Sequence, residues 1–171
     1  MLLVGLAAAP GSAQVLREYD LKAAFLYNFI TFTDWPDASF PSPESPYVIG
    51  IVGDDPFGFA LDEIVNGERI KGRPLAVRRF KRLDELRHCH ILFISASESR
   101  RLADCLRRLK GQPILTVSDM AGFTAAGGGI GFTPAPRIGL TINPAALRDA
   151  NLVVSSKLLR LAQLTETRGV P

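Results

Sequence analysis

The chain has 171 residues, 47% of them hydrophobic, which is enough for one hydrophobic core and too little for two independent domains. Its net charge of +3 comes from a slight excess of arginine rather than from a basic tail, so the charge is only weak support for an acidic partner. Two cysteines, Cys89 and Cys105, are too few for a fold built on disulfides. We therefore expect a single domain over residues 14–171 that is stabilised mainly by its core.

Residues 1–13 predict a signal peptide. The run MLLVGLAAAPGSA is short and apolar and ends in small residues, as the apolar region and cleavage site of a signal peptide do. No Lys or Arg precedes it, which leaves open a start upstream, a fragment of a signal, or a buried N-terminal segment. No other segment approaches the ~20 apolar residues of a membrane span. We expect an exported protein that does not insert into the membrane after cleavage.

Residues 17–35 contain neither Gly nor Pro and are followed by Pro36, which predicts one long helix. At about 100° per residue, its apolar side chains form two stripes on opposite sides. The first stripe contains Leu21, Phe25, Phe29 and Phe32, and the second contains Tyr19, Ala23, Leu26 and Ile30. One stripe should pack on the sheet of the domain. The other needs a second surface, which is either the rest of the same core or another chain.

The chain is organised around residues 47–58, YVIGIVGDDPFG. A run of β-branched and small apolar residues stops at Gly53, and two aspartates and a proline follow it. This pattern predicts a buried strand that leads into a helix at 57–65. Pro56 suits the first helical position because it has no N–H to satisfy, which makes Asp55 the expected N-cap.

The later segments repeat this step from strand to helix. Apolar runs predict strands at 75–80, 90–95 and 114–117, and the first of these alternates as a strand near a sheet edge does. The next expected elements are a helix at 97–109 capped by Ser97, and a turn at 118–119 followed by a brief helix through Phe123. After them we expect a hairpin of 130–133 with 138–142, a helical turn at 144–150, and a last helix from Ser155 or Ser156 to about 165. This order predicts a three-layer α/β/α fold with a mostly parallel sheet and a late antiparallel hairpin.

His88, Cys89 and His90 are the residues that first suggest metal or thiol chemistry. On a strand, the two histidines point to one face and the cysteine to the other. A zinc site needs further ligands, and these are the only two histidines in the chain. We interpret the segment as the start of a strand, and we predict no catalytic residue, no metal and no cofactor.

The ends of the predicted strands could bind a small ligand. Asp54 follows the central strand, at the place where open α/β sheets usually bind ligands, and Asp119 follows a later strand. Together with Gly128 in the turn at 127–129 they form the candidate ligand site. No nucleotide-binding glycine pattern is present, and an N-cap and a turn would explain most of the Asp54–Asp55 pair.

Five basic residues crowd the helix at 97–109 and its end: Arg100, Arg101, Arg107, Arg108 and Lys110. Aromatic residues that would stack on bases are not interleaved with them, so we expect a solvated helix face and no nucleic acid. A disulfide between Cys89 and Cys105 stays open. The lengths of strand and helix between them leave a gap of roughly ten ångströms, and a disulfide needs Cα atoms within about 7 Å.

Eight phrases in order resemble one family. They are REYDLKAAFLYNF with Trp35–Pro36, VGDDPFG, GRPLAVRRF, CHILFIS, ILTVSD, the GG-I-F pattern at 128–132, IN at 142–143 and SSKLLRLA. Together they resemble the YfiR-like family of bacterial exported proteins over residues 17–162.

The resemblance implies a non-enzymatic periplasmic α/β domain. The best-known member represses a membrane-anchored diguanylate cyclase by binding its periplasmic part, so that cyclic di-GMP and biofilm formation fall. The family offers no set of catalytic residues to carry over. Members can carry additional cysteines that form disulfides, and this chain, with two cysteines, could lack any redox control that such pairs confer.

For this chain we expect contact with a partner, or with a second copy in a homodimer, through the first and last helices. The candidate residues are Phe25, Phe29, Leu158, Leu159 and Leu161. Leu159 lies about 100° from Leu158 and outside the stripe of Val154, Leu158, Leu161 and Ala162, which motivates the last helix. The alternative function is a periplasmic sensor of a small ligand at the strand ends near Asp54 and Asp119.

Overall fold

The computed structural model describes residues 10–134 and 138–164. Residues 1–9 of the predicted signal peptide lie outside the described residues, and residues 10–13 begin the first helix. The helices are α1 (Pro10–Thr31), α2 (Ala60–Val65), α3 (Leu102–Leu109), α4 (Pro144–Asp149) and α5 (Ser156–Leu161). Short 3₁₀ helices occupy Asp37–Ser39, Leu83–Glu85 and Ala96–Arg101.

The strands form one sheet of eight and one of two. They are β1 (Thr33–Asp34), β2 (Tyr47–Val52), β3 (Arg69–Ile70), β4 (Arg73–Phe80), β5 (Ile91–Ile94), β6 (Leu115–Ser118), β7 (Ile130–Thr133), β8 (Gly139–Ile142), β9 (Val153–Val154) and β10 (Ala162–Leu164). The large sheet has the order β10-β8-β7-β6-β5-β2-β4-β3, and β1 pairs with β9 in the small one.

The large sheet is mostly parallel. Strand β2 pairs in parallel with β4 and β5, and β5, β6 and β7 continue in parallel. The predicted hairpin is confirmed, because β7 and β8 are antiparallel. The predicted mostly parallel three-layer α/β fold is therefore confirmed.

The alternation of β2 explains the two cores. Ile49 and Ile51 point into a core that α1, α2 and α5 cover, whereas Val48 and Val52 point into a second core with Cys105 and Leu109 of α3. A strand buried on both faces has a continuous apolar sequence, which is why β2 could be identified from its residues. Within the described residues, no helix combines the length and apolar character that a bilayer span requires.

Helix α1 is longer at its start and shorter at its end than the predicted 17–35. It runs from Pro10 to Thr31, and the following Thr33–Asp34 pairs with Val153–Val154 instead of continuing the helix. The Ser155 N–H also donates to the Phe32 carbonyl at 2.8 Å. The end of α1 is therefore set by a strand that lies about 120 residues further along the chain.

The predicted start of α2 at Pro56 was wrong. Asp55 does accept a backbone hydrogen bond, from the Phe57 N–H at 2.8 Å, but the cap closes a turn and the helix begins at Ala60. The later helix at 97–109 begins as a 3₁₀ helix at Ala96, with Ser95 rather than Ser97 as its cap.

Two further local predictions were wrong. Residues 121–127 form turns instead of a brief helix. The last helix ends at Leu161, and residues Ala162–Leu164 form β10, which pairs in parallel with β8 at the edge of the sheet.

Candidate functional site

The carboxyl edge, where β2, β5 and β6 end, contains the first two residues of the predicted ligand site. The chain leaves β2 for β4 on one side and reaches β5 on the other, so the crevice between the ends of β2 and β5 is where such sheets usually bind ligands. The Ser97 hydroxyl fills this crevice. It accepts the Asp54 N–H at 2.9 Å, and a Cβ on Gly53 would lie only 2.4 Å from the same oxygen.

Asp119 is committed to contacts with α1. Its Oδ2 atom accepts hydrogen bonds from Lys22 Nζ and from the Tyr19 hydroxyl, both at 2.7 Å. Lys22 is 3% exposed and also pairs with Glu18 at 2.6 Å. Burial, and then the hydrogen bond to Asp119, raise the pKa of Tyr19 above its usual range. The cluster joins α1 to the end of β6 and satisfies the Asp119 carboxylate from within the chain.

Gly128 lies away from the two aspartates. The neighbouring Gly129 N–H donates to Thr116 Oγ1 at 2.9 Å, which places Gly128 level with the start of β6. Asp119, by contrast, follows the end of that strand. A Cβ at Gly128 would lie 2.2 Å from the Phe123 ring. The structure therefore brings Asp54 and Asp119 to one edge of the sheet and Gly128 to a close contact elsewhere.

A groove lies at the amino edge of the sheet. Its volume is about 380 Å³, and it lies between α3 and α4. Its lining includes Leu106, Leu109, Ile114 and Ala150, together with Lys110. This size is within the range of small-molecule sites. Neither Asp54 nor Asp119 lines this groove.

The two histidines precede β5 and lie on the same side, as predicted, with ring centroids 4.8 Å apart. His90 is fully buried beside Trp35, Phe40 and Tyr47. Its Nδ1 accepts the Val48 N–H at 3.1 Å. Burial, and then the neighbouring His88, lower the pKa of His90 to about 4. In the described part of the chain, no three His, Cys, Asp or Glu side chains come together as a metal site requires.

Both cysteines are free thiols buried in the second core. Burial raises the pKa of Cys89 to about 12 and also raises that of Cys105. The thiolate is the reactive form, so neither side chain is activated for exchange in the folded chain. The sequence left a disulfide between them open, and the structure has two free thiols.

Three of the five basic residues predicted on the helix at 97–109 and its end form surface ion pairs. Arg101 bonds Glu98 at 2.7 Å, Arg108 bonds Asp104 at 3.0 Å, and Arg107 also pairs with Asp104. The three guanidinium side chains are 58–72% exposed, which fits the solvated helix face that the sequence predicts.

The residues expected to bind a partner lie at three depths. Phe29 and Leu158 are core residues with 0% and 2% exposure. Phe25 and Leu159 are half-buried against the same core, and the Phe25 ring lies 5.9 Å from Phe132 of β7. Leu161 is 67% exposed. Leu21, in the same stripe of α1 as Phe25, is 50% exposed.

Sequence reasoning missed Phe59, which is 84% exposed. It lies in the turn between β2 and α2, and the side chains that follow it at the buried positions are Leu61 and Val65. A signal was present. At helical spacing, Phe59 falls about 200° from Phe57 and so opposite the buried side.

A family model described as YfiR/HmsC-like matches residues 19–163. The match begins in α1 and ends in β10, so it includes every strand of the large sheet. No curated protein was found to match the chain.

Proposed function

The chain belongs to the YfiR/HmsC-like family, and from this membership we propose a periplasmic protein that binds the periplasmic part of a membrane-anchored diguanylate cyclase and represses it. The family supports, in general terms, a regulatory and non-catalytic role at such a cyclase. The match over residues 19–163 is the observation that carries the proposal. Repression would lower cyclic di-GMP and with it biofilm formation.

The proposed binding surface is a strip of four apolar side chains on α1 and α5, which we call the α1–α5 strip: Leu21, Phe25, Leu159 and Leu161. The two outer leucines are half or more exposed, and the other two are half-buried. Phe29 and Leu158 are buried residues of the same two helices, and the Phe25 and Phe29 rings are 6.1 Å apart. Apolar side chains on a firm base suit the centre of an interface. A homodimer would be a competing use of the same strip.

The proposal is tested by measuring cyclic di-GMP in the source bacterium after deletion and restoration of the gene. Deletion should raise cyclic di-GMP, and restoration should reverse the rise. Restoration with Leu161→Asp should fail, because a carboxylate that is buried in an apolar interface loses its hydration. Val153→Asp is the matched control, since Val153 is 66% exposed but lies in β9, outside the strip. If the protein is exported and deletion of its gene leaves cyclic di-GMP unchanged, the proposal is contradicted.

A further inference from the structure

Phe59 has the highest exposure of the large apolar side chains in the described residues. It is 84% exposed, against 50–67% for Val15, Leu21, Val153 and Leu161. Single exposed leucines and valines are ordinary on protein surfaces. A phenylalanine ring that is almost wholly in water is less common, and its large area makes it suited to fill a pocket of a partner.

The turn that presents Phe59 is held by Arg79 of β4. The Arg79 guanidinium donates to Asp55 Oδ2 at 2.6 Å, to the Gly58 carbonyl at 2.9 Å and to Asp62 Oδ2 at 2.5 Å. These bonds fix the residues on both sides of Phe59. An anchor that is already ordered loses little conformational entropy when it binds, which increases the affinity that its burial can give.

The surroundings of Phe59 are acidic. Asp55 and Asp62 share the one guanidinium of Arg79, and Glu63 follows one helical turn after Phe59, with its N–H bonded to the Phe59 carbonyl at 2.9 Å. Three carboxylates thus lie within four residues of Phe59 in the sequence, and Arg79 pairs with two of them. A partner whose contact surface is basic would be favoured at this position over an acidic one.

Phe59 also continues the surface that we propose for partner binding. Helices α1, α2 and α5 cover the same core, and the Tyr19 and Phe57 rings, 5.5 Å apart, bring the start of α2 against α1. Leu21 is beside Lys22, which bonds Asp119 at the carboxyl edge. Leu161 precedes Ala162, which pairs with Leu140 near the start of β8, at the same edge. Exposed apolar side chains from α1, from α5 and from the turn before α2 therefore lie toward one edge of one layer.

We propose that Phe59 is an anchor residue that inserts into an apolar pocket of the cyclase's periplasmic part, and that lysine or arginine side chains rim this pocket and face Asp55, Asp62 and Glu63. The identity of the partner rests on the proposed function. The chemistry of the pocket rests on Phe59 and its turn.

The first test restores a deletion strain with variants of this surface. Phe59→Ser should leave cyclic di-GMP near the level of the deletion, and Glu63→Arg should do the same by repelling a basic rim while Phe59 is intact. Val153→Ser, an exposed apolar residue elsewhere, should restore fully. The purified variants should melt at the temperature of the unchanged protein, because Phe59 and Glu63 are exposed. Full restoration by Phe59→Ser would overturn the proposal even if deletion raises cyclic di-GMP.

The second test separates failure of the anchor from failure of the proposed function. Photo-reactive p-benzoylphenylalanine at position 59, with position 153 as the control, is irradiated in living cells. The proposal requires a cross-link at position 59 that Glu63→Arg removes and that maps to apolar residues beside lysine or arginine. If deletion leaves cyclic di-GMP unchanged, the proposed function fails, and this cross-link would still support the anchor. Absence of a cross-link at position 59, or equal cross-linking at 153, would overturn the anchor.

Discussion

Two side chains that are normally charged at neutral pH are almost fully buried. Among the described residues, only Lys22 and Glu98 are charged residues with less than 4% exposure. Lys22 forms ion pairs with both Asp119 and Glu18, and the Tyr19 hydroxyl also donates to Asp119. Removing one partner of a buried pair leaves the other charge without compensation. We expect Lys22→Met to lower the free energy of unfolding by about 3 kcal/mol, measured by urea denaturation.

Arg82→Met is the control for that measurement. Arg82 pairs with Asp84 at the surface, where the two side chains are 65% and 52% exposed. Exposed pairs contribute little, so this change should cost no more than about 1 kcal/mol. A Lys22→Met protein as stable as the Arg82→Met protein would show that the cluster at Asp119 does not hold α1 to the sheet.

His90 should make stability depend on pH. Its folded pKa of about 4 is below its ordinary value of 6.5, because the neutral ring is buried. The unfolded chain therefore binds the proton more readily, so stability from this group is complete above pH 6.5 and is lost as the pH falls toward 4. The loss is roughly 3 kcal/mol at most.

His90→Asn should remove this pH dependence, since Asn can accept the Val48 N–H and does not titrate. His88→Gln should retain most of it, because burial, the largest cause of the lowered pKa of His90, is unchanged. Unfolding free energies measured between pH 7 and pH 4.5 give the comparison. Parallel curves for the unchanged protein and His90→Asn would contradict the assignment of the pH dependence to His90.

At the scale of elements, the close approach of β2 to the Ala96–Arg101 helix depends on Gly53. Its φ is +89°, and a Cβ there would lie 2.4 Å from Ser97 Oγ. Gly58 has a φ of +55°, but a Cβ there would have no neighbour within 4 Å. Gly58→Ala should cost about 1 kcal/mol from backbone strain alone.

Gly53→Ala should cost about 1–2 kcal/mol more than Gly58→Ala, because it adds overpacking to the strain. Chemical denaturation of the two purified variants measures the difference. Equal losses would mean that the Ser97 turn moves aside without cost, and the crevice at the ends of β2 and β5 would then be adaptable rather than closed.

The sequence predicted best the strands that have apolar surroundings on both faces. Strands β2 and β5 are buried on both faces, so each has a continuous apolar run. The start of α2 could not be placed, because Asp55 fits an N-cap and a turn equally well. Arg79, 24 residues away in β4, decides between them. Strand β10 also depends on a distant partner, β8.

The proposed partner-binding surface was also predictable only in part. Helical spacing placed Leu21, Phe25 and Phe29 in one stripe, but it could not tell that Phe29 is buried and Leu21 exposed. The contact of Lys22 with Asp119 joins residues 97 positions apart, and no local pattern connects them. The helical projection that gave the two stripes could also have identified Phe59 as exposed, since it places Phe59 opposite Phe57.

At the scale of the whole molecule, the sheet separates two kinds of surface. One layer, made by α1, α2 and α5, has exposed apolar side chains toward the carboxyl edge: Leu21, Phe59 and Leu161. The other layer has α3 with its paired arginines. Such asymmetry suits a protein that binds through one layer and stays solvated on the other.

The proposed function is tested most directly by titration calorimetry of the purified protein with the purified periplasmic parts of the membrane-anchored diguanylate cyclases of the source bacterium. We expect at least one of them to bind, Leu161→Asp to remove this binding, and Val153→Asp to retain it. A folded protein that binds none of them would contradict the proposed function, and equal binding by the two aspartate variants would contradict the proposed surface.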